Sequence, residues 1–121
     1  MIRGIRGAIT VQGDSEEEIV SATEKLAREV IRENEITAES VSSVFISVTE
    51  DITSGFPAKA LRQIDGWTFV PVMCMQEIPV PGSLPKCIRL MFHVNTDVRQ
   101  EDIKHIYLEG AKVLRPDLFK S

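Results

Sequence analysis

The segment Lys86-Cys87-Ile88-Arg89-Leu90-Met91-Phe92-His93-Val94 carries one arginine inside a largely apolar run. A guanidinium keeps its charge in any protein environment, and burying it without a partner is costly. At the two-residue period of a strand, Ile88, Leu90, Phe92 and Val94 share one face, and Cys87, Arg89, Met91 and His93 share the other. The first face requires a core, and the second requires something that meets a positive charge. The start of the chain repeats the pattern in Ile2-Arg3-Gly4-Ile5-Arg6-Gly7-Ala8-Ile9-Thr10-Val11. Ile5, Ile9 and Val11 lie together, and Arg6 lies opposite between Gly4 and Ala8, whose small size leaves room beside it. Two such arginines suit a pocket for a small anion. Structural salt bridges or exposed sheet faces produce the same pattern, so the residues alone leave both readings open.

A chain of 121 residues is expected to form one domain, 1–121, with the tail 117–121 mobile. A monomer of this size buries roughly two-thirds of its unfolded surface, so its core is modest and association would help it. The apolar fraction of 43% permits association. The net charge of −4 argues against a nucleic-acid or membrane-surface partner, since both select for positive charge. No apolar run approaches the length of about 18 residues that a membrane span needs. The first residues have a strand pattern instead of a signal peptide, so the expected setting is the cytoplasm. Cys74 and Cys87 are then reduced, and neither has metal-ligand spacing to a histidine.

The pattern predicts a strand over 2–11. Asp14 or Ser15 is placed to cap a helix, with Glu17 or Glu18 completing a capping box. Ile19, Ala22, Leu26 and Val30 recur at helical spacing to about position 34. A β-branched strand follows over 41–49, then a short helix over 57–64 ended by Gly66. Further strands are expected over 67–72 and 87–95, separated by a constrained turn containing Pro79, Pro81, Gly82 and Pro85. A last helix is expected over 99–114, with Ile103, Ile106 and Tyr107 on its inner side and Pro116 stopping it. The expected object is α/β (α+β): a mixed β-sheet with helices packed on one face and the other face covered by neighbouring subunits.

No Gly-rich phosphate loop and no nucleophile elbow is present. His93 and His105 lack a second ligand or a triad partner, which argues against a zinc site or a Ser-His-Asp apparatus. What remains are cations beside apolar residues (Arg6, Lys59, Arg62, Arg89, Arg115), one acid in an apolar stretch (Glu77) and a single tyrosine, Tyr107. That set suits a reaction needing shape and electrostatics without a covalent step. Equally, Glu77 could pair with a lysine and Tyr107 could be a core aromatic with a wet hydroxyl.

In order and spacing, several short pieces resemble the monofunctional, homotrimeric AroH class of chorismate mutase. They are Ile2-Arg3-Gly4-Ile5-Arg6-Gly7-Ala8, Phe56-Pro57-Ala58-Lys59-Ala60, Gly66-Trp67, Val70-Pro71-Val72, Cys74-Met75-Gln76-Glu77, Cys87-Ile88-Arg89, His105-Ile106-Tyr107-Leu108-Glu109 and Val113-Leu114-Arg115-Pro116-Asp117-Leu118. The resemblance implies a homotrimeric pseudo-α/β barrel and an intramolecular Claisen rearrangement of chorismate to prephenate, in phenylalanine and tyrosine biosynthesis. It implies no cofactor and no metal. It gives Arg89 the ether oxygen and a carboxylate, Arg6 a carboxylate, Glu77 the ring hydroxyl and Tyr107 a carboxylate. Phe56, Ala58, Lys59, Arg62, Val72, Met73, Cys74, Met75, Gln76, Leu114 and Arg115 would line or close the pocket, some of them from a neighbouring subunit. Two features fit less well. Strict alternation puts Cys74 and Glu77 on opposite strand faces, and Met73 stands where the family has a small polar residue. The alternatives are an enamine or imine deaminase-like trimer, which would release ammonia, and a non-catalytic sensor that binds a small carboxylate metabolite without converting it.

Overall fold

The arginine-bearing run is the middle strand of a sheet. In the computed structural model, which describes residues 1–114, β1 (Ile2–Thr10), β2 (Val41–Val48), β3 (Val72–Gln76), β4 (Cys87–Asn95) and β5 (Ile106–Leu108) form one mixed sheet in the order β3-β2-β4-β1-β5. β4 runs antiparallel to both neighbours, while β3 and β5 pair parallel with β2 and β1. Every strand–strand junction therefore depends directly or at one remove on β4.

Alternation sorts the side chains as the sequence requires. Ile5, Ile9, Val44, Ile46, Ile88, Leu90, Phe92 and Val94 face one side and are buried in the main core. The long helix α1 (Glu16–Glu33) covers that side with Ile19, Leu26, Ala27 and Val30. It can lie close because Gly7 presents no side chain to it. A Cβ at Gly7 would stand 3.1 Å from both Leu26 Cδ1 and Val30 Cγ2. Ser15 is the residue that caps α1, its Oγ accepting from Glu18 N at 3.2 Å. The Glu18 carboxylate in turn accepts from Gln12 N and Gly13 N, at 2.8 and 2.6 Å, which satisfies the exposed donors of the helix entry. The short helix α2 (Lys59–Arg62) buries Ala60 and Leu61 on the same side.

Two expected elements are corrected. The segment 67–71 is a turn, and β3 begins only at Val72. Trp67 N and Val70 N donate back to Ile64 O and Trp67 O, so these residues curl. The Trp67 ring packs edge-on against Phe92 at 5.6 Å, while Phe69 is 96% exposed. The segment read as a strand is thus a turn with one aromatic anchor. The segment 99–114 is not a helix. It is a 3₁₀ turn at Gln100–Asp102, the strand β5, and a 3₁₀ turn at Glu109–Leu114. The side chain of Asn34 bonds both the N–H and the C=O of Lys104, at 2.9 and 2.8 Å, and His105 Nδ1 accepts from Arg6 N at 3.0 Å. These contacts deliver 106–108 to the open edge of β1, where Ile106-Tyr107-Leu108 alternates as well as any strand. Tyr107 and His105 accordingly belong to β5 and its approach. The stop assigned to Pro116, the tail and Arg115 lie outside the described residues.

No helix covers the opposite sheet face among the described residues. It carries Arg6, Ser43, Phe45, Ser47, Met73, Met75, Arg89, Met91 and His93. Only its β5 end is closed, where Ala8, Cys87, Tyr107 and Ala111 form a small second core under Leu84 and Leu114. Cys74 and Cys87 are both free thiols. Among the described residues no helix is long and apolar enough to cross a membrane.

Candidate active site

Arg89 stands on β4 between Ala8 of β1 and Ser47 of β2. Both cross-strand neighbours are small, so the guanidinium can lie across the open face instead of being pushed off it. Its Nε is buried and lies 3.3 Å from Glu77 Oε2, within ion-pair range, yet makes no hydrogen bond. Glu77 continues the line of β3, its N–H donating to Val48 O at 2.8 Å. Its carboxylate accepts from Ser47 Oγ at 3.4 Å and from Ile78 N at 3.0 Å. The side chains of Arg89 and Glu77 are 40% and 30% exposed. Their pairing is therefore partly screened, and each keeps capacity for another partner. The apolar-stretch acid thus pairs with an arginine, not with a lysine.

Arg6, Arg89, Tyr107, Met75 and Leu114 line one groove of about 480 Å³ with Phe45, Ser47 and Met91. Three strands deliver the polar groups: Arg6 from β1, Arg89 from β4 and Tyr107 from β5, where it pairs with Ala8. Tyr107 is only 6% exposed, so its ring is a core aromatic as well as a groove wall. Cys87 sits beneath it, and burial pushes its thiol up, offset in part by the nearby Arg89.

A second groove, of about 730 Å³, lies at the β3 edge. Phe56, Lys59, Arg62, Cys74 and Gln76 line it, and Met75 reaches both grooves. β3 runs without a bulge through Gln76, so Cys74 faces the helix side while Glu77 faces the open side. Burial raises the Cys74 thiol against the opposing influence of the Ala58 backbone and the Arg62 charge, which leaves it protonated and unreactive at neutral pH. Lys59 Nζ pairs with Glu16 Oε1 at 2.9 Å. Ala58 and Val72 lie beneath this groove, on the core side, and Met73 stands 61% exposed beside Phe45 on the open face, outside both grooves. Among the described residues no three or more His, Cys, Asp or Glu side chains gather where they could hold a metal ion.

Sequence reasoning did not single out Ser47, Phe45 or Met91 for the first groove, nor Glu16 and Thr53 for the second. Ser47 shares a face with Phe45 by simple alternation, but only the register with β4 sets it opposite Arg89.

A mixed sheet that fixes two guanidiniums, a tyrosine and a carboxylate on one face defines a small α/β protein built to grip a compact anion. The sequence matches the family described as chorismate mutase type I over residues 2–118. It is 54% identical to chorismate mutase AroH of Bacillus subtilis (strain 168) over 118 residues, which covers 98% of this chain and 93% of that one. It is 50% identical over 119 residues to chorismate mutase AroH of Thermus thermophilus, covering 98% and 97%. The fold superposes on the solved chorismate mutase from Clostridium thermocellum with a TM-score of 0.88 at 51% identity, covering 91% of this chain and 97% of that one. The chain belongs to the type I chorismate mutase family.

Proposed function

We propose that this chain rearranges chorismate to prephenate in a cleft that two copies of it build together. The activity is that of an isomerase of aromatic amino-acid biosynthesis. The substrate has two carboxylates, a ring hydroxyl and an enolpyruvyl ether. One C–O bond breaks as one C–C bond forms, within a single molecule, through a compact chair-like arrangement. No group is transferred to the protein. Its task is to hold the folded conformer and to stabilise the charge that grows on the ether oxygen.

Arg89 is the group for that oxygen. The observation that carries this assignment is its buried Nε, close to Glu77 yet bonded to no acceptor, on a guanidinium that lines the first groove. A fixed, desolvated donor of this kind favours charge that develops in the transition state over charge already present in the substrate. Arg6 grips a carboxylate through its planar fork, Tyr107 donates to a carboxylate, and Glu77 accepts from the ring hydroxyl. Phe56, Ala58, Lys59, Arg62, Val72, Met73, Cys74, Gln76 and Arg115 supply or support the rest of the wall, with Met75 and Leu114.

Two half-sites support a shared cleft. The Arg6–Arg89–Tyr107 set faces the open side of the sheet, and the Phe56–Lys59–Arg62–Cys74 set lies at the β3 edge toward the helices. The two sets belong to separate grooves of one chain that share only Met75. Copies arranged as a closed trimer would bring the edge of one against the open face of the next, and would cover the exposed Phe45, Met73 and Met75. Each chain contributes one domain, 1–121, and the protein works in the cytoplasm.

The test is direct. Purified protein is mixed with chorismate in buffer without metal or cofactor, and loss of the diene absorbance is followed. Turnover to prephenate is expected. Release of ammonia, or tight binding without conversion, would overturn the assignment.

A further inference from the structure

We propose that Asp14 is a positioning residue for the reaction, because it fixes the loop that carries Phe56 and Lys59 to the second groove. The proposal rests on the reading that this groove meets the substrate. Asp14 stands just ahead of α1, but Ser15 takes the cap, which leaves the Asp14 carboxylate for another use. Oδ1 accepts from Thr53 N at 3.0 Å and from Ser54 N at 3.1 Å, and Oδ2 accepts from Thr53 Oγ1 at 2.8 Å. The carbonyl of Asp14 accepts from Ser54 Oγ at 2.8 Å. Four bonds thus run from two successive loop residues to one residue 39 and 40 positions earlier. Hydrogen bonds from donors to an ionised carboxylate are the strong kind, and those from the Thr53 hydroxyl and backbone hold the carboxyl below its ordinary range.

The next residue, Gly55, lies flat on the first turn of α1. A Cβ there would stand 2.9 Å from Glu16 Cγ and 3.4 Å from Glu16 Cα, so a side chain at this position would lift the loop off the helix. Phe56 follows, 78% exposed and free to meet a ligand. Then comes Lys59, whose ammonium is held by Glu16. Glu16, Thr53, Ser54, Phe56 and Lys59 all line the groove. A flexible lysine at the start of α2, reached by a flexible loop, would have to be ordered each time it binds. The anchorage at Asp14 removes most of that ordering cost before the substrate arrives.

The expected signature is a split between KM and kcat. Asp14→Ala should raise KM for chorismate about five- to tenfold while kcat changes less than about twofold, since the loop contributes to binding in ground and transition states alike. Asp14→Asn, which keeps one acceptor oxygen, should fall between and carries the test if the alanine variant does not fold. Lys59→Ala should also raise KM, and adding Asp14→Ala to it should raise KM little further, because the two act through one edge. A KM unchanged in both Asp14 variants, alongside a raised KM in Lys59→Ala, would show Asp14 to be structural only and would overturn the proposal alone. If Lys59→Ala itself left KM unchanged while Arg89→Ala abolished turnover, the second groove would not belong to the site, and the proposal would fall with that reading.

Discussion

At the scale of single residues, the catalytic role proposed for Arg89 separates from stability. Its side chain is 40% exposed and its only ion-pair partner among the described residues is partly exposed Glu77, so its removal leaves no deeply buried unpaired group. Arg89→Ala should lower kcat/KM by at least about 10²–10³-fold, the cost of losing a transition-state donor, while circular-dichroism melting moves by no more than a few degrees. A neutral isostere of the same length should be nearly as damaging, because shape without charge leaves the ether oxygen unstabilised. Full turnover in that isostere would refute the electrostatic mechanism. Asp51 is the complementary case, a carboxylate that holds backbone. It accepts from the N–H of Lys86 with both oxygens, at 3.1 and 2.9 Å, and Lys86 has a positive φ of 52°. Desolvation opposes its charge, but the bonds from Thr49 and Lys86 prevail and hold its pKa below the ordinary 3.8. A depressed folded pKa means stability that is complete above about pH 4 and lost as pH falls through the folded value. Asp51→Asn should therefore melt a few degrees lower than wild type at neutral pH, and the difference should shrink below pH 3.8.

Elements behave differently, since each is specified by what it packs against. β1, α1, β2 and β4 are legible in the sequence to within a residue or so, because each is long, has one apolar face and finds its core partner on that face. The two misread segments share a cause. Trp67 to Val72 and Arg99 to Leu114 are rich in apolar residues, yet their conformation is decided by distant groups: the Phe92 ring, the Asn34 side chain and the open edge of β1. Local pattern carries no information about such partners. One exacting contact between elements is the one between α1 and Gly7. Gly7→Ala forces a methyl against Leu26, Val30 and Leu90 at 3.1–3.2 Å. The overpacking should cost about 1–3 kcal/mol, measurable as a shift of the urea midpoint with an unchanged slope. Gly66→Ala, at a turn with φ of 87° and open space around it, should also destabilise, by about 1 kcal/mol, through backbone strain alone.

For the whole molecule the question is how residues on two sides of one sheet would serve one substrate, as proposed. The sequence named Arg6, Arg89, Glu77 and Tyr107 from their chemistry and from the family resemblance, and β1, β4 and β5 do bring the first, second and last of these to a common groove. It could not assign each residue to a half-site, because the sheet order β3-β2-β4-β1-β5 separates neighbours in sequence and joins strangers. A shared cleft makes a strong prediction. An Arg89→Ala chain and a Lys59→Ala, Arg62→Ala chain, each crippled alone, should regain a fraction of wild-type turnover when unfolded and refolded together. Mixed assemblies would then contain some clefts with neither defect. No recovery, in assemblies that mass measurement shows to be mixed, would mean that each cleft is built by one chain.

β4 has a longer-term consequence. Its even-numbered positions, Ile88 to Val94, serve the interior, and its odd-numbered ones, Arg89, Met91 and His93, serve the opposite surface. From Ile88 to Val94, selection on the proposed ligand preference and selection on folding would therefore act on separate sets of codons. Descendants of such a chain can be retooled for a different small anion by changes at alternate positions, while inheriting the same scaffold untouched.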